Sequence, residues 1–252
     1  MKAGVFDSGV GGLTVVRSLM DAKLFEEIIY YGDTARVPYG TKDKNTIISY
    51  SLEASEFFKN FDIDILIIAC NSVSAFAINE LRQNISIPVV GVIESGIMAV
   101  EDSVEDKDSN ILVLGTKATV NSELYPNGLK KLGYNNVTSI ATPLFVPLVE
   151  ENICSGNILN ETMKYYFSDL KNIDAVILGC THFPLIQDEI SKYLNHAKTI
   201  HSGDAIVKYL KKEYSFKENI INKDEETKIT FFASSAPDNL KQVAKNWLNL
   251  KQ

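Results

Sequence analysis

Two cysteines of this chain sit in the same local setting. Cys70 closes the run Ile65-Leu66-Ile67-Ile68-Ala69 and is followed by Asn71 and Ser72. Cys180 closes Ala175-Val176-Ile177-Leu178-Gly179 and is followed by Thr181 and His182. Each run is of strand length, with no polar residue inside it. That pattern reads as a strand buried on both faces of a parallel sheet. Each run therefore delivers a thiol and two hydrogen-bonding residues at a strand's carboxyl end, where open α/β sheets bind ligands. One cysteine alone reads as a small buried hydrophobe. Two at equivalent strand ends read as a pair that faces one pocket. Cys154, in Asn152-Ile153-Cys154-Ser155-Gly156, lacks such a context and reads as a bystander.

Opposed thiols suit inversion of a carbon centre. One proton leaves one face of a flat intermediate and another arrives on the opposite face. One group must then be deprotonated while the other is protonated. An unperturbed thiol pKa of about 8.5 keeps both forms within reach near neutrality. Each thiol also needs a neighbour that tunes or relays its proton. Asp7, ending the first apolar run beside Cys70, and His182, close after Cys180, are the candidates. Their plainer roles are an anion holding the 9–12 turn and a structural histidine. The arginines are Arg17, Arg36 and Arg82, so a bidentate arginine clamp on a carboxylate has few candidates. Neutral donors must serve instead. Ser8, Asn71, Ser72, Thr116, Thr119 and Thr181, with backbone N–H groups at helix starts, can receive carboxylates. Each of these side chains also suits a helix cap.

Two other chemistries fit less well. Gly9-Val10-Gly11-Gly12, with Asp33 after the next apolar run, suggests a dinucleotide turn. Thr14 stands where the third glycine belongs, and Asp7 would put negative charge beside a pyrophosphate. A metal site from Cys70, Cys180 and His182 lacks a common zinc spacing and a second close pair. Neither a metal nor a cofactor is expected.

Alternating strands and helices must position these groups. Strands are expected over residues 2–6, 28–31, 63–69, 88–92, 110–116, 137–141, 175–178, 198–201 and 229–233. Helices are expected through Leu13, Val16 and Leu19, then over 44–58, 74–82, 95–104, 120–132, 143–151, 157–170, 184–194, 205–214 and 237–250. The 44–58 helix would bury Ile48, Leu52, Ser55 and Phe58, and Gly133 would close the 120–132 helix. Residues 34–44, with Pro38-Tyr39-Gly40, read as a long functional loop expected to cover the pocket. Residues 217–227 read as a polar surface excursion. The class is α/β, a parallel sheet with helices on both faces. The pattern then repeats. Phe6-Asp7-Ser8 answers to Leu114-Gly115-Thr116, and Cys70-Asn71-Ser72 to Cys180-Thr181-His182, at nearly equal separation. This weak duplication implies two similar parallel-sheet α/β domains related by pseudo-two-fold symmetry, with the active site between them. Residues 1–93 plus 207–252 form the first and residues 94–206 the second, the tail crossing back to complete the first.

Composition sets bounds. With 252 residues, 45% hydrophobic and 23% charged, the chain is an ordinary globular protein. A net charge of −7 argues against nucleic acid or an anionic membrane as a partner. No apolar run approaches the roughly 20 residues that span a bilayer, and no signal peptide is expected from the opening Met1-Lys2-Ala3-Gly4-Val5-Phe6-Asp7. An odd number of cysteines without an export signal points to reduced thiols in the cytoplasm.

Several stretches together resemble the glutamate racemases of the aspartate/glutamate racemase family. They are Phe6-Asp7-Ser8-Gly9-Val10-Gly11-Gly12-Leu13, Pro38-Tyr39-Gly40, Ala69-Cys70-Asn71-Ser72, Gly91-Val92-Ile93-Glu94, Gly115-Thr116 with Thr119, and Gly179-Cys180-Thr181-His182-Phe183-Pro184-Leu185. The resemblance covers essentially the whole chain. It implies cofactor-independent interconversion of L- and D-glutamate, supplying D-glutamate for peptidoglycan and so for the cell wall and cell shape. It implies Cys70 and Cys180 as the two bases, assisted by Asp7, Glu150 and His182. Cys70 would take the proton of the D-form and Cys180 that of the L-form. Asp7, Ser8, Tyr39, Gly40, Asn71, Ser72, Thr181 and His182 would bind substrate. A homodimer is also implied. The related aspartate racemases usually carry Glu where this chain has His182, which favours glutamate over the alternative, an aspartate racemase of the same architecture. A non-catalytic amino-acid-binding protein is the other alternative, and retention of both cysteine motifs speaks against it. Ser72 and Ser95 stand where the family usually has Thr and Pro. The first keeps the hydroxyl and the second bears on helix entry.

Overall fold

The computed structural model describes residues 1–214 and 226–248. Most of the expected 217–227 excursion, and the last two positions of the expected 237–250 helix, lie outside the described residues. The chain begins with β1 (Lys2–Asp7), α1 (Leu13–Asp21), β2 (Glu27–Gly32), α2 (Lys44–Phe58), β3 (Ile65–Ile68), α3 (Asn71–Phe76), α4 (Ile78–Asn84) and β4 (Val89–Gly91). The helix α5 (Val92–Glu101) leads to β5 (Ile111–Gly115), α6 (Lys117–Asn121), α7 (Leu124–Lys131), β6 (Val137–Ala141), α8 (Phe145–Glu150), α9 (Asn157–Phe167), β7 (Ala175–Gly179), α10 (Gln187–Tyr193) and β8 (Lys198–His201). Then α11 (Ser202–Glu213) returns the chain to β9 (Lys228–Ala233) and α12 (Pro237–Leu248). Short 3₁₀ turns occupy Tyr39–Thr41 and Phe183–Ile186.

Among the described residues all strand pairs are parallel, in two sheets of order β4-β3-β1-β2-β9 and β6-β5-β7-β8. Read backwards, the second sheet is β8-β7-β5-β6, the same order as β4-β3-β1-β2 in the first. The repeat seen in the sequence is therefore a repeat of topology. β9 is the addition, paired with β2, and the tail does cross back to the first sheet. Period-two alternation splits each sheet between two cores. Ala3, Val5, Ile65 and Ile67 pack with α1, α11 and α12 on one face, while Phe6, Leu66 and Ile68 pack with α2 on the other. In the second sheet Leu112, Leu114, Val176 and Leu178 face Phe145 and Phe183, and Ile111, Val113 and Ile177 face Tyr125 and Leu129.

Several helices differ from expectation, each for a local reason. The 74–82 helix is two helices, and the first starts at Asn71, with two residues between it and the end of β3. The 120–132 helix is also two. Pro126 lacks an N–H and is tolerated only in a first turn, so α7 begins afresh after Glu123, whose φ is 55°. Gly133, at φ 92°, closes α7 as expected, with Tyr134 N–H on the Leu129 carbonyl and Gly133 N–H on Lys130. The 184–194 helix is a 3₁₀ turn followed by α10. The buried side of α2 is Ile47, Ser51, Ala54, Ser55 and Phe58, one residue off the expected Ile48 and Leu52, which are half-buried.

Among the described residues, a helix leaves each sheet toward the other: α5 directly after β4 and α11 directly after β8, and the two pack on each other. Each contributes to a core on both sides: Val92 and Ile206 to the first, Ile93, Val100 and Ala205 to the second. The expected boundaries after 93 and before 207 fall inside these helices, and we propose that the halves divide along them. Among the described residues, no helix is long and apolar enough to cross a membrane.

The halves approach closely at Gly11. A Cβ there would lie 2.2 Å from Thr181 Oγ1 and 2.6 Å from His182 Nδ1. Gly11→Ala should force this seam apart and cost about 1–3 kcal/mol, the usual range for overpacking. A fall in the urea midpoint with an unchanged m-value checks it, and an unshifted midpoint would show that the seam yields freely.

Candidate active site

The alternation that fills the cores also aims the thiols. Leu66, Ile68 and Cys70 lie on one face of the first sheet, and Val176, Leu178 and Cys180 on one face of the second. Both cysteines are 6% exposed and both line a single cavity of about 320 Å³ between the halves. Ser8, Asn71 and Ser72 line it from the first half, and Thr116, Glu150, Thr181 and His182 from the second. The 34–44 loop supplies Val37, Pro38, Tyr39, Gly40 and Thr41. Gly40 is a point of close approach, where a Cβ would come within 2.4 Å of Thr116.

Side-chain hydrogen bonds stitch this cavity across the seam. Ser72 Oγ and Thr116 Oγ1 are 2.9 Å apart. Thr181 Oγ1 donates to Asp7 Oδ2 at 3.4 Å, and Thr14 Oγ1 donates to the Thr181 carbonyl at 2.8 Å. Tyr39 is held from behind by Asp33, a fully buried carboxylate that accepts from the Tyr39 hydroxyl, from Arg36 Nε at 2.6 Å and from Ser234 Oγ at 2.7 Å. Asp33 is thus committed to anchoring the loop, not to a ribose.

The two thiols have different company. Ser8 Oγ lies 3.4 Å from Cys70 Sγ. Burial, with the Asp7 carboxylate nearby, pushes the Cys70 thiol up to about 12; the Ser8 contact works the other way. Cys180 Sγ lies 3.8 Å from His182 Nδ1, and His182 Nε2 lies 2.9 Å from Glu150 Oε1. Burial disfavours an imidazolium, but the contacts with Cys180 and Glu150 outweigh it and raise His182 to about 10. The outcome is a thiol beside a hydroxyl on one side and a thiol beside a cation on the other. Such an arrangement can deliver a proton to one face of a bound carbon acid and accept one on the other.

Not every expected residue reaches the cavity. Asp7 is 1% exposed and lies one layer behind the wall, because Gly9 N–H, at 2.9 Å, and Thr181 take its oxygens. Its contact is with Thr181 and not with Cys70, and burial raises its pKa. It holds the 9–12 turn, the plainer of its two expected roles. Thr119 also stands behind, with its hydroxyl 3.1 Å from Thr116 Oγ1 and its N–H on the same oxygen, the cap of α6. Cys154 is half-buried and away from the cavity, as expected. Sequence reasoning missed Lys117, Pro143, Val146 and Pro147 on the wall. Lys117 could have been found, since it follows Thr116 directly at a strand end already singled out. The others lie on a half whose distance from the cavity no local pattern reveals. Among the described residues, no group of three His, Cys, Asp or Glu side chains is placed to hold a metal ion.

His182 should therefore remain protonated well above neutrality. Its folded pKa, about 10, lies above the ordinary 6.5, so its protonation stabilises the fold fully below about pH 6.5 and the contribution is lost as pH rises toward 10. An NMR titration of the His182 ring checks this, and Glu150→Gln should move the midpoint down. A midpoint at or below about 6.5 in the parent would contradict the assignment.

Comparison with known proteins identifies the family. A family model described as Asp/Glu/Hydantoin racemase matches residues 14–210. A glutamate racemase of Nitratiruptor is 59% identical over 98% of this chain and 96% of its own. The crystal structure of glutamate racemase from Campylobacter jejuni superposes with a TM-score of 0.96 at 54% identity, covering 100% of both chains. The glutamate racemase of Francisella tularensis, solved in complex with D-glutamate, gives 0.86 at 36% identity, over 100% of this chain and 94% of that one. A strand-for-strand repeat that ends in two cysteines at one cavity, together with identity of this extent, establishes that the chain belongs to the aspartate/glutamate racemase family.

Proposed function

We propose that this protein interconverts L- and D-glutamate without a cofactor, using Cys70 and Cys180 as the two acid–base groups. The observation that carries the reading is the pair of buried thiols at equivalent strand ends on one cavity. Full-length similarity to proteins named glutamate racemase supports the choice of substrate. The carboxylates of glutamate are received by neutral donors, Ser8, Asn71, Ser72, Thr116 and Thr181, with Tyr39 and Gly40 closing the wall. Cys180 takes the α-proton of the L-form, and Cys70 gives one to the opposite face; the D-form reacts in reverse. His182, kept charged by Glu150, exchanges the proton of Cys180, while Ser8 and, behind it, Asp7 modulate Cys70. The apolar rim of Val37, Pro38, Pro143, Val146 and Pro147 limits water at the reacting carbon. We further propose that the D-glutamate supplies peptidoglycan, and hence the cell wall and cell shape, and that the enzyme is a cytoplasmic homodimer.

Circular dichroism of L- or D-glutamate solutions, without pyridoxal phosphate, tests the activity. Cys70→Ser and Cys180→Ser should each lower racemisation by roughly 10²–10⁴-fold, the span of general acid–base catalysis, and Cys154→Ser should match the parent. Elimination from a glutamate analogue with a leaving group at the β-carbon needs one proton removal only. Cys70→Ser should then still act on the L-analogue and Cys180→Ser on the D-analogue. Parent-like racemisation in either cysteine variant would remove the two-base mechanism.

A further inference from the structure

Tyr125 has no part in the chemistry above, yet it touches both strand ends that carry the thiols. It is 1% exposed and belongs to α7 in the second half. Its ring fills a slot between two glycines: a Cβ at Gly96 would lie 3.0 Å from it and one at Gly179 3.3 Å. Gly179 is the residue before Cys180. The Tyr125 hydroxyl crosses the seam and donates to Asn71 Oδ1 at 2.8 Å, and Asn71 is the residue after Cys70. Asn71 Nδ2 in turn donates to Ser202 Oγ at 3.2 Å, at the start of α11. Asn71 is 2% exposed and lines the cavity.

These contacts decide which way the Asn71 amide points. The amide has one acceptor oxygen and two N–H donors. A phenol oxygen, conjugated with its ring, donates well and accepts poorly, so Tyr125 claims the carbonyl end. Ser202 then takes one N–H, and the amide keeps a second N–H on a residue that lines the cavity. With the amide reversed, the carbonyl oxygen would turn toward the second N–H's place and meet an anionic ligand with like partial charge. We propose that Tyr125 is a positioning residue of this site, fixing the Asn71 amide with its donor end available to a substrate carboxylate. The inference rests on the proposed glutamate racemase reading and adds a determinant of carboxylate binding to it.

Tyr125→Phe keeps the ring in its glycine slot and removes only the hydroxyl. KM for both glutamate enantiomers should rise by about tenfold, because the buried Asn71 carbonyl loses its partner and the amide its fixed orientation. The kcat should stay within about threefold, since the thiols remain in place. A purely structural role would lower the thermal midpoint without this split between KM and kcat. Because Tyr125 acts through Asn71, the same change in an Asn71→Ala background should add nothing to KM. Unchanged KM in Tyr125→Phe, or full additivity with Asn71→Ala, overturns the inference alone. Absence of racemisation in the parent overturns the reading of the site and this inference with it.

Discussion

The seam between the two halves has to be closed with polar groups that satisfy each other. Asp7, Asn71, Ser72, Thr116, Thr119 and Thr181 are buried or nearly so, and an unpaired polar group in such a place costs about 1–3 kcal/mol. Most find a partner across the seam: Ser72 with Thr116, Asp7 with Thr181, and Asn71 with Tyr125 and Ser202, while Thr119 pairs with Thr116 in its own half. Each bond therefore does two things. It satisfies a buried group, and it fixes one half against the other at the height of the thiols. Gly11 and Gly40 are the positions where this closeness leaves no room for a side chain. The thiols themselves contribute little to the seam, which leaves them free for chemistry.

The two sides are built from the same topology but not the same charge. Cys70 looks onto a hydroxyl with a buried carboxylate behind it, and burial keeps its proton on. Cys180 looks onto an imidazole whose far nitrogen is held by a carboxylate open to solvent. Inversion of a carbon centre asks for this inequality, because the two faces must hold opposite protonation states at any moment. The departure of His182 from its counterpart Ser72 is where the symmetry is broken.

The connections between the halves bear on how the cavity between them can open or close. α5 and α11 lie on the passages between the sheets, they pack on one another, and each shares its apolar side chains between cores. Motion of one half against the other would have to pass through this helix pair. The 34–44 loop is fastened differently, through Asp33 to Arg36, Tyr39 and Ser234. That fastening joins the cavity wall to the end of β9, so the late strand that completes the first sheet also supports the site.

The sequence by itself determined the fold class, the repeat and the identity of the two thiols. These follow from short-range patterns: unbroken apolar runs can be satisfied only by strands buried on both faces, and a cysteine two positions after Ile68 or Leu178 must continue their face. Ser8, Tyr39, Asn71, Thr181 and His182 were legible for the same reason, as neighbours in sequence of those strand ends or of a loop punctuated by proline and glycine. Helix limits were less legible, because Pro126 and the abrupt start at Asn71 act through backbone hydrogen bonding that periodicity does not register. Only the tertiary structure decided that Asp7 and Thr119 stand one layer behind the wall, that Asp33 anchors Tyr39, and that Lys117, Val146 and Pro147 close the cavity. Those facts depend on side-chain contacts between elements that the hydrophobic period does not connect, some of them across the seam, and such contacts leave no periodic trace in either segment. Tyr125 is the clearest case: its helix buries it like any core aromatic, and only the packing of α7 against the seam places its hydroxyl on Asn71.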